Sequence, residues 1–482
     1  MTYSVERRHA HDTPMSFPHD SDNVARGTVD AAFVQRAIDG ADLNALRLAM
    51  LQLTGDDALA AMKVEMRPRR GGALASAAVA DEAVPELKRK AFDLLVSGTL
   101  LEPAQPPAPA TLRQLMENFS GGTAMGDEEF ALSREELALD DFPRDVTWHR
   151  KPAQEALSKF HAGVIGSGLS GVSIGAQLGR LGLPYTIVER LDDVGGTWLR
   201  NTYPEVRVDT DCYNYQFKFE KKYPWKEYYP TQSEVLKYVR HIARKHDVVR
   251  HIRFRTEMEC AVWNEDTSKW RLSLRNADGS VDLVEADFVI SAAGLFGQES
   301  LPDIRGIDRF GGRILHTARW DNDYDIAGRN VALVGNGSSG VQLMPAVARR
   351  AKSLTVFQRT PQWIGPIENL RREFTAEDRW LIDTVPFYWN WCSYAAYRSF
   401  TYLQYLQEHD AAWKRAGGQV NEGNDKLRTF LVDYMKSKLG DRRDLLEKSI
   451  PPFPPLSRRL VVDNGWYEAL LRDNVELVTE PI

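Results

Sequence analysis

Ala162-Gly163-Val164-Ile165-Gly166-Ser167-Gly168-Leu169-Ser170-Gly171 sets an apolar strand against a glycine turn that opens into a helical run through Val172, Ile174, Leu178 and Leu181. Glycines in this order permit a tight turn, close approach of a pyrophosphate and tight helix packing, and the helix N-terminus offers free N–H donors. Alone, such a turn is a weak signal. Its context strengthens it, because the next strand, Thr186–Val188, ends in Glu189, about 20 residues on, where a carboxylate can bond a ribose hydroxyl. A second copy, Gly335-Asn336-Gly337-Ser338-Ser339-Gly340, follows the strand Asn330-Val331-Ala332-Leu333-Val334. After Leu354–Phe357, however, Gln358 and Arg359 replace the acid. An acid there would repel a 2′-phosphate, whereas a guanidinium binds one through charge-assisted hydrogen bonds. Two dinucleotides are therefore expected, NADPH at the second turn and FAD at the first, a pairing that lets hydride pass between them.

Working outward, the chain has 482 residues, 61 Lys+Arg against 67 Asp+Glu, 43% hydrophobic content and three cysteines. At about 100–200 residues per domain, two to four domains are expected. The mild acidity argues against a nucleic-acid partner, which calls for a basic excess. Cys212, Cys260 and Cys392 are too scattered for a disulfide framework or a zinc site, and a reducing cytoplasmic setting is expected. No apolar run is long enough to span a membrane. Residues 1–28 are polar and aperiodic and predict a disordered lead. From 29 to 150, apolar residues at helical spacing (Leu43, Leu46, Leu59, Met62, Leu87, Leu94) predict a helical extension, broken by the proline-rich stretch from Glu102 to Pro109. This extension carries no chemical cluster and reads as packing or homodimer contact. The rest divides into a first dinucleotide domain at 151–310, a second at 311–450, and a return toward the first domain at 451–482, ending with the strand Val475–Val478.

Between the turns stands Phe310-Gly311-Gly312-Arg313-Ile314-Leu315-His316-Thr317-Ala318-Arg319-Trp320-Asp321, and after the first turn come Gly195-Gly196-Thr197-Trp198, Asn201-Thr202-Tyr203-Pro204 and Val208-Asp209. This set resembles the Baeyer–Villiger monooxygenases, class B flavoproteins, and the extension resembles that of the 4-hydroxyacetophenone monooxygenase branch. The resemblance implies an α/β fold of two Rossmann-like domains for FAD and NADP, with the C-terminal part of the FAD domain missing here. It implies that Gly166, Gly168, Gly171 and Glu189 hold the adenosine half of FAD, with Gly196, Thr197, Trp198, Asp209 and Tyr215 nearer its ring. Gly335, Gly337, Gly340, Arg359, Thr360 and Arg458 would hold NADPH, and Arg459 would be catalytic, oriented by Asp209. The fingerprint residues Phe310, Gly312, His316, Trp320 and Asp321 would couple the two domains. The implied reaction inserts one oxygen atom of O2 beside a ketone carbonyl, by way of a C4a-peroxyflavin, with Arg459 stabilising the anion that forms.

Plainer readings stand beside these. Arg458 and Arg459 follow prolines and have a plainer reading as a solvated pair, as Asp209 has as a turn residue. His316 has no second ligand at metal spacing. The aromatic run Phe387-Tyr388-Trp389-Asn390-Trp391, continuing through Tyr394, Tyr397, Phe400, Tyr402 and Tyr405, reads first as a buried helical face and second as the lining of an aryl-ketone pocket. Glu205 stands where the family has glycine, which strains the backbone if that position needs a positive φ. The rival functions are oxidation of amines or sulfides by a flavin-containing monooxygenase, and a truncated nucleotide-binding remnant.

Overall fold

A computed structural model describes residues 30–97, 106–144 and 148–482; the lead expected at 1–28 and the first half of the proline-rich break lie outside them. The first glycine turn leaves the middle of a four-stranded parallel sheet ordered Ile252–Arg253, Tyr185–Val188, Ala162–Ile165, Phe288–Ser291. Ile165 is in register with Val188 on one side and Ser291 on the other, which levels the carboxyl ends of the strands where ligands of such sheets bind. The second turn leaves a parallel sheet ordered Asn330–Val334, Ser353–Phe357, Val475–Val478. The last of these corrects the expectation that 451–482 returns to the first domain. Val475–Val478 pairs with Leu354–Phe357, and Leu477 is buried in the second domain's own core with Leu354 and Val356.

Among the β elements that escaped the periodicity reading, two are large. The extension is not wholly helical: between the helices Leu43–Thr54 and Val84–Val96 lies an antiparallel hairpin, Val64–Arg69 with Leu74–Val79. Arg70, Gly71 and Gly72 reverse the chain with φ values of 48°, 67° and 83°, a left-handed succession that no helix accepts. The second is the meander Thr256–Asn264, Lys269–Asn276, Val281–Ala286, which buries Leu272 and Leu274 against Val188 of the first sheet.

The aromatic run forms the helix Tyr388–Tyr405. Its early half is core, as expected: Trp389, Trp391 and Tyr394 are buried, whereas Phe400 and Tyr405 are exposed. What it packs against is the extension. Trp391 stacks on Phe119 at 6.2 Å and donates through Nε1 to Gln52 Oε1, and Asn390 donates to the carbonyls of Leu137 and Ala138. The extension, this helix and the first sheet share one continuous core. Among the described residues, no helix is long and apolar enough to cross a membrane.

Below the first sheet, buried Glu220 gathers Lys245 Nζ at 2.8 Å and His241 Nε2 at 3.1 Å on one oxygen, with His246 Nε2 at 3.7 Å from the other. Burial alone would raise the carboxyl, but the hydrogen bonds from His241 and Lys245, with His246 close by, outweigh it and hold the group well below its usual value. The stabilisation is therefore full above about pH 4.5 and fades as pH falls toward the lowered folded value. Glu220→Gln is expected to cost about 2 kcal/mol at pH 7. In urea unfolding, the gap to the parent should narrow below about pH 4.5, and a gap independent of pH would contradict this role for the carboxylate.

Candidate functional site

At the third glycine of each turn a side chain has no room. A Cβ on Gly171 would stand 1.9 Å from the Gly166 carbonyl oxygen, and Gly166 itself has φ 98°. In the second turn the same clash, a Cβ on Gly340 against Gly335 O, is at 2.4 Å, while a Cβ on Gly337 would meet no other part of the chain within 4 Å. These are the close crossing and the open flank that a pyrophosphate needs at a helix N-terminus.

Each turn is also pinned to the strand beside it. Glu189, buried, accepts from Ser167 N at 2.8 Å and Ser167 Oγ at 2.9 Å through Oε2, and from Leu191 N at 2.9 Å through Oε1. With three of about four lone-pair positions filled by the protein, one remains for a ribose hydroxyl. In the second turn Gln358 takes the equivalent part: its Oε1 accepts from Asn336 Nδ2 at 2.8 Å, and Asn336 also reaches Thr360 O. The neutral pair Asn336–Gln358 thus replaces the acid, and Arg359 next to it is exposed at the strand end. Ser167 and Asn336, the residues after the first glycine of each turn, were missed from sequence; their matched position in the two fingerprints was the available signal.

The turns face one cleft of about 2660 Å³. Its lining includes Glu189, Gly196, Thr197, Trp198, Asp209, Tyr215, His316, Arg458 and Arg459, and the extension supplies a wall through Asp42 and the strand Leu74–Val79. Trp198 Nε1 donates to the Tyr215 hydroxyl at 3.0 Å, so two residues expected near the flavin ring meet. Asp209 is not ion-paired to Arg459. It is held from the second domain instead, by Gln342 Nε2 at 2.8 Å and by Ser338. Burial pushes the Asp209 carboxyl up, and the bonds from Gln342 and Ser338, with the nearby charge of Arg459, only partly offset this. The Arg459 charge also acts on the Tyr215 hydroxyl, which burial raises. Arg459 is therefore close to both groups electrostatically while its exposed side chain stays unpaired among the described residues. Arg458 lies over the Phe453 ring at 4.8 Å.

Gln342, buried and unforeseen, joins the domains: it also accepts from the Tyr203 hydroxyl at 2.9 Å and donates to Arg207 O at 3.1 Å. The signal for it was only its place one turn into the second fingerprint helix. Glu205 adopts φ 68°, the strained conformation its position threatened. In return its carboxylate pairs with Arg349 at 3.2 Å and Arg371 at 3.0 Å, both from the second domain. The fingerprint segment lies at the same junction. Asn322 donates to Thr202 Oγ1 at 2.9 Å and Arg319 pairs with Glu299, while His316 Nδ1 accepts from Ala318 N and Asp321 pairs with Arg313. Trp320 packs on the second core, Phe310 is largely exposed, and Gly312 lies under the Phe310 ring.

Residues 159–369 match the model of the flavin-binding monooxygenase-like family. Among curated relatives, an uncharacterized monooxygenase of Sinorhizobium fredii is 34% identical over 322 residues, 66% of this chain and 48% of the relative. A Baeyer-Villiger monooxygenase of Streptomyces coelicolor is 36% identical over 224 residues, 46% of this chain and 42% of its own length. Among solved structures, OTEMO in complex with FAD and NADP superposes with a TM-score of 0.55 at 30% identity, covering 67% of this chain and 66% of that one. The chain spans about half the length of the first of these relatives.

Proposed function

We propose that this chain is an FAD- and NADPH-dependent monooxygenase that carries out Baeyer–Villiger oxidation, converting ketones, aryl ketones in particular, to esters, and that it stands nearest the 4-hydroxyacetophenone monooxygenase branch. One observation carries the reading: Arg459 and Asp209 line a single cleft onto which both phosphate-cradling turns open. The names of the relatives and the cofactors of the OTEMO complex support it.

The clash-free cradles fit two dinucleotides. Gly166, Gly168, Gly171 and the spare acceptor of Glu189 would hold FAD, with Gly196, Thr197, Trp198 and Tyr215 further along the cleft. Gly335, Gly337, Gly340, Arg359, Thr360 and Arg458 would hold NADPH. When bound, the two supply oxygen activation and hydride. The protein's own part is electrostatic and steric. Arg459, fixed in charge, is offered to the negative charge that develops on the ketone oxygen, and a cation is most effective there once the cleft has closed around its ligands and excluded water. Asp209, held by Gln342 and Ser338, offsets part of that charge beforehand and links the chemistry to the position of the second domain. The aromatic wall of Tyr213, Tyr228 and Phe374, with Tyr228 and Phe374 stacked at 4.3 Å, suits an aryl group.

The test is to load the purified chain with FAD and follow NADPH oxidation with an aryl methyl ketone, a cyclic ketone and a tertiary amine. Ester from the ketones supports the reading. N-oxide alone, or a colourless protein that takes up no flavin, overturns it. Within this assay, Arg359→Ala is expected to narrow the preference for NADPH over NADH by about tenfold to a hundredfold, the loss of one charge-assisted contact to the 2′-phosphate. An unchanged ratio would mean that the phosphate is held elsewhere.

A further inference from the structure

The cleft holds a cation that the roles above leave unused. Arg70 lies in the hairpin turn of the extension, which is seated on the helix Glu422–Leu439 so closely that a Cβ on Gly71 would stand 3.1 Å from Phe430 Cβ. Its half-buried side chain lines the cleft beside Ile367 and Leu460, the residue after Arg459. The other arginines of the hairpin are engaged, Arg67 with Asp81 and Arg69 with Glu368. The Arg70 side chain has no hydrogen-bond or ion-pair partner among the described residues. Besides burial, the groups that act on its charge are Tyr229 and Arg69, and neither is a carboxylate. Tyr229 also lines the cleft, and among the described residues its hydroxyl is likewise unpartnered. Asp211, the carboxylate that bears on Tyr229, is already bonded by the backbone and side-chain amides of Asn214.

A guanidinium drawn partly out of water without a counter-charge costs desolvation energy that a bound anion would offset. Its planar fork matches the acceptor geometry of a carboxylate, and the Tyr229 hydroxyl, lining the same cleft, offers an O–H donor. We propose that Arg70 and Tyr229 form an anion subsite in the substrate cleft, and that the ketone taken by this chain bears a carboxylate distinct from its reacting carbonyl. The subsite rests on the ketone-oxidation reading only in naming the ligand as a ketone. The extension, by this account, selects the substrate.

The test is calorimetric binding to the FAD-loaded chain, with 4-acetylbenzoate as the acid and 4′-methylacetophenone as its neutral counterpart. The parent should bind the acid at least about tenfold more tightly. Arg70→Gly removes the cation and suits the left-handed turn, so folding is not at risk. It should abolish the preference, Tyr229→Phe should reduce it, and Arg70→Lys should restore part of it, with NADP+ affinity unchanged throughout. Equal binding of the two ketones by the parent, or a preference that survives Arg70→Gly, overturns the proposal. So does a loss of NADP+ affinity in Arg70→Gly, which would make the anion a cofactor phosphate. Because binding is read without turnover, absence of ester would refute the oxidation reading and leave the subsite standing.

Discussion

Arg459→Ala is expected to lower ester formation by about 10³-fold while NADPH still reduces the flavin at close to the parent rate. The size follows from what a preorganised charge contributes where negative charge develops in a water-poor site, about 10²–10³ for a single donor, with a full cation at the upper end. The selectivity follows from the parts assigned: Arg459 lines the cleft and its charge bears on Asp209 and Tyr215, whereas the glycine turns would seat the dinucleotides. Stopped-flow absorbance separates the two half-reactions, and the variant should consume NADPH and release hydrogen peroxide in place of ester. Undiminished ester would remove Arg459 from the chemistry.

Gly171→Ala should produce a folded chain that does not retain FAD. Its new methyl group would meet a backbone carbonyl at 1.9 Å, and no rotamer can relieve that; the first turn of the helix must swing away from the strand. The N–H groups that would face the pyrophosphate move with it, and affinity for FAD should fall by at least about 100-fold, close to 2.7 kcal/mol. Gly179→Ala, in the same helix with nothing within 4 Å of the new atom, serves as the control and should keep its flavin. Flavin absorbance after gel filtration reads both variants. Retained flavin in Gly171→Ala would mean that the turn yields more readily than its packing implies.

What was legible in the sequence was what short spacing encodes. Strand, glycine turn and helix are neighbours in the chain, so both phosphate cradles and the strands Ala162–Ile165 and Phe288–Ser291 could be read directly. Elements whose identity depends on distant partners could not. The hairpin at 64–79 was hidden because Leu59, Met62 and Val64 fall at helical spacing, and only the left-handed turn at Arg70 overrules it. Val475–Val478 was recognised as a strand yet assigned to the wrong domain, since nothing local says which sheet it will join. At the site, the residue types near the chemistry were readable and their partners were not. Asp209 was expected to orient Arg459, but a glutamine from the other domain holds it. Glu205 looked like a defect in a glycine position; its two arginine partners lie far along the chain and give the strained backbone a compensation.

In the proposed function, one cleft brings both dinucleotides and Arg459 to a ketone carbonyl. The most direct measurement is the mass spectrum of the product formed from an aryl methyl ketone under 18O2 by the FAD-loaded chain with NADPH. An aryl ester carrying one heavy oxygen atom is expected, with the second atom recovered in water. An ester formed without the label, or complete consumption of NADPH with only hydrogen peroxide as product, would contradict it.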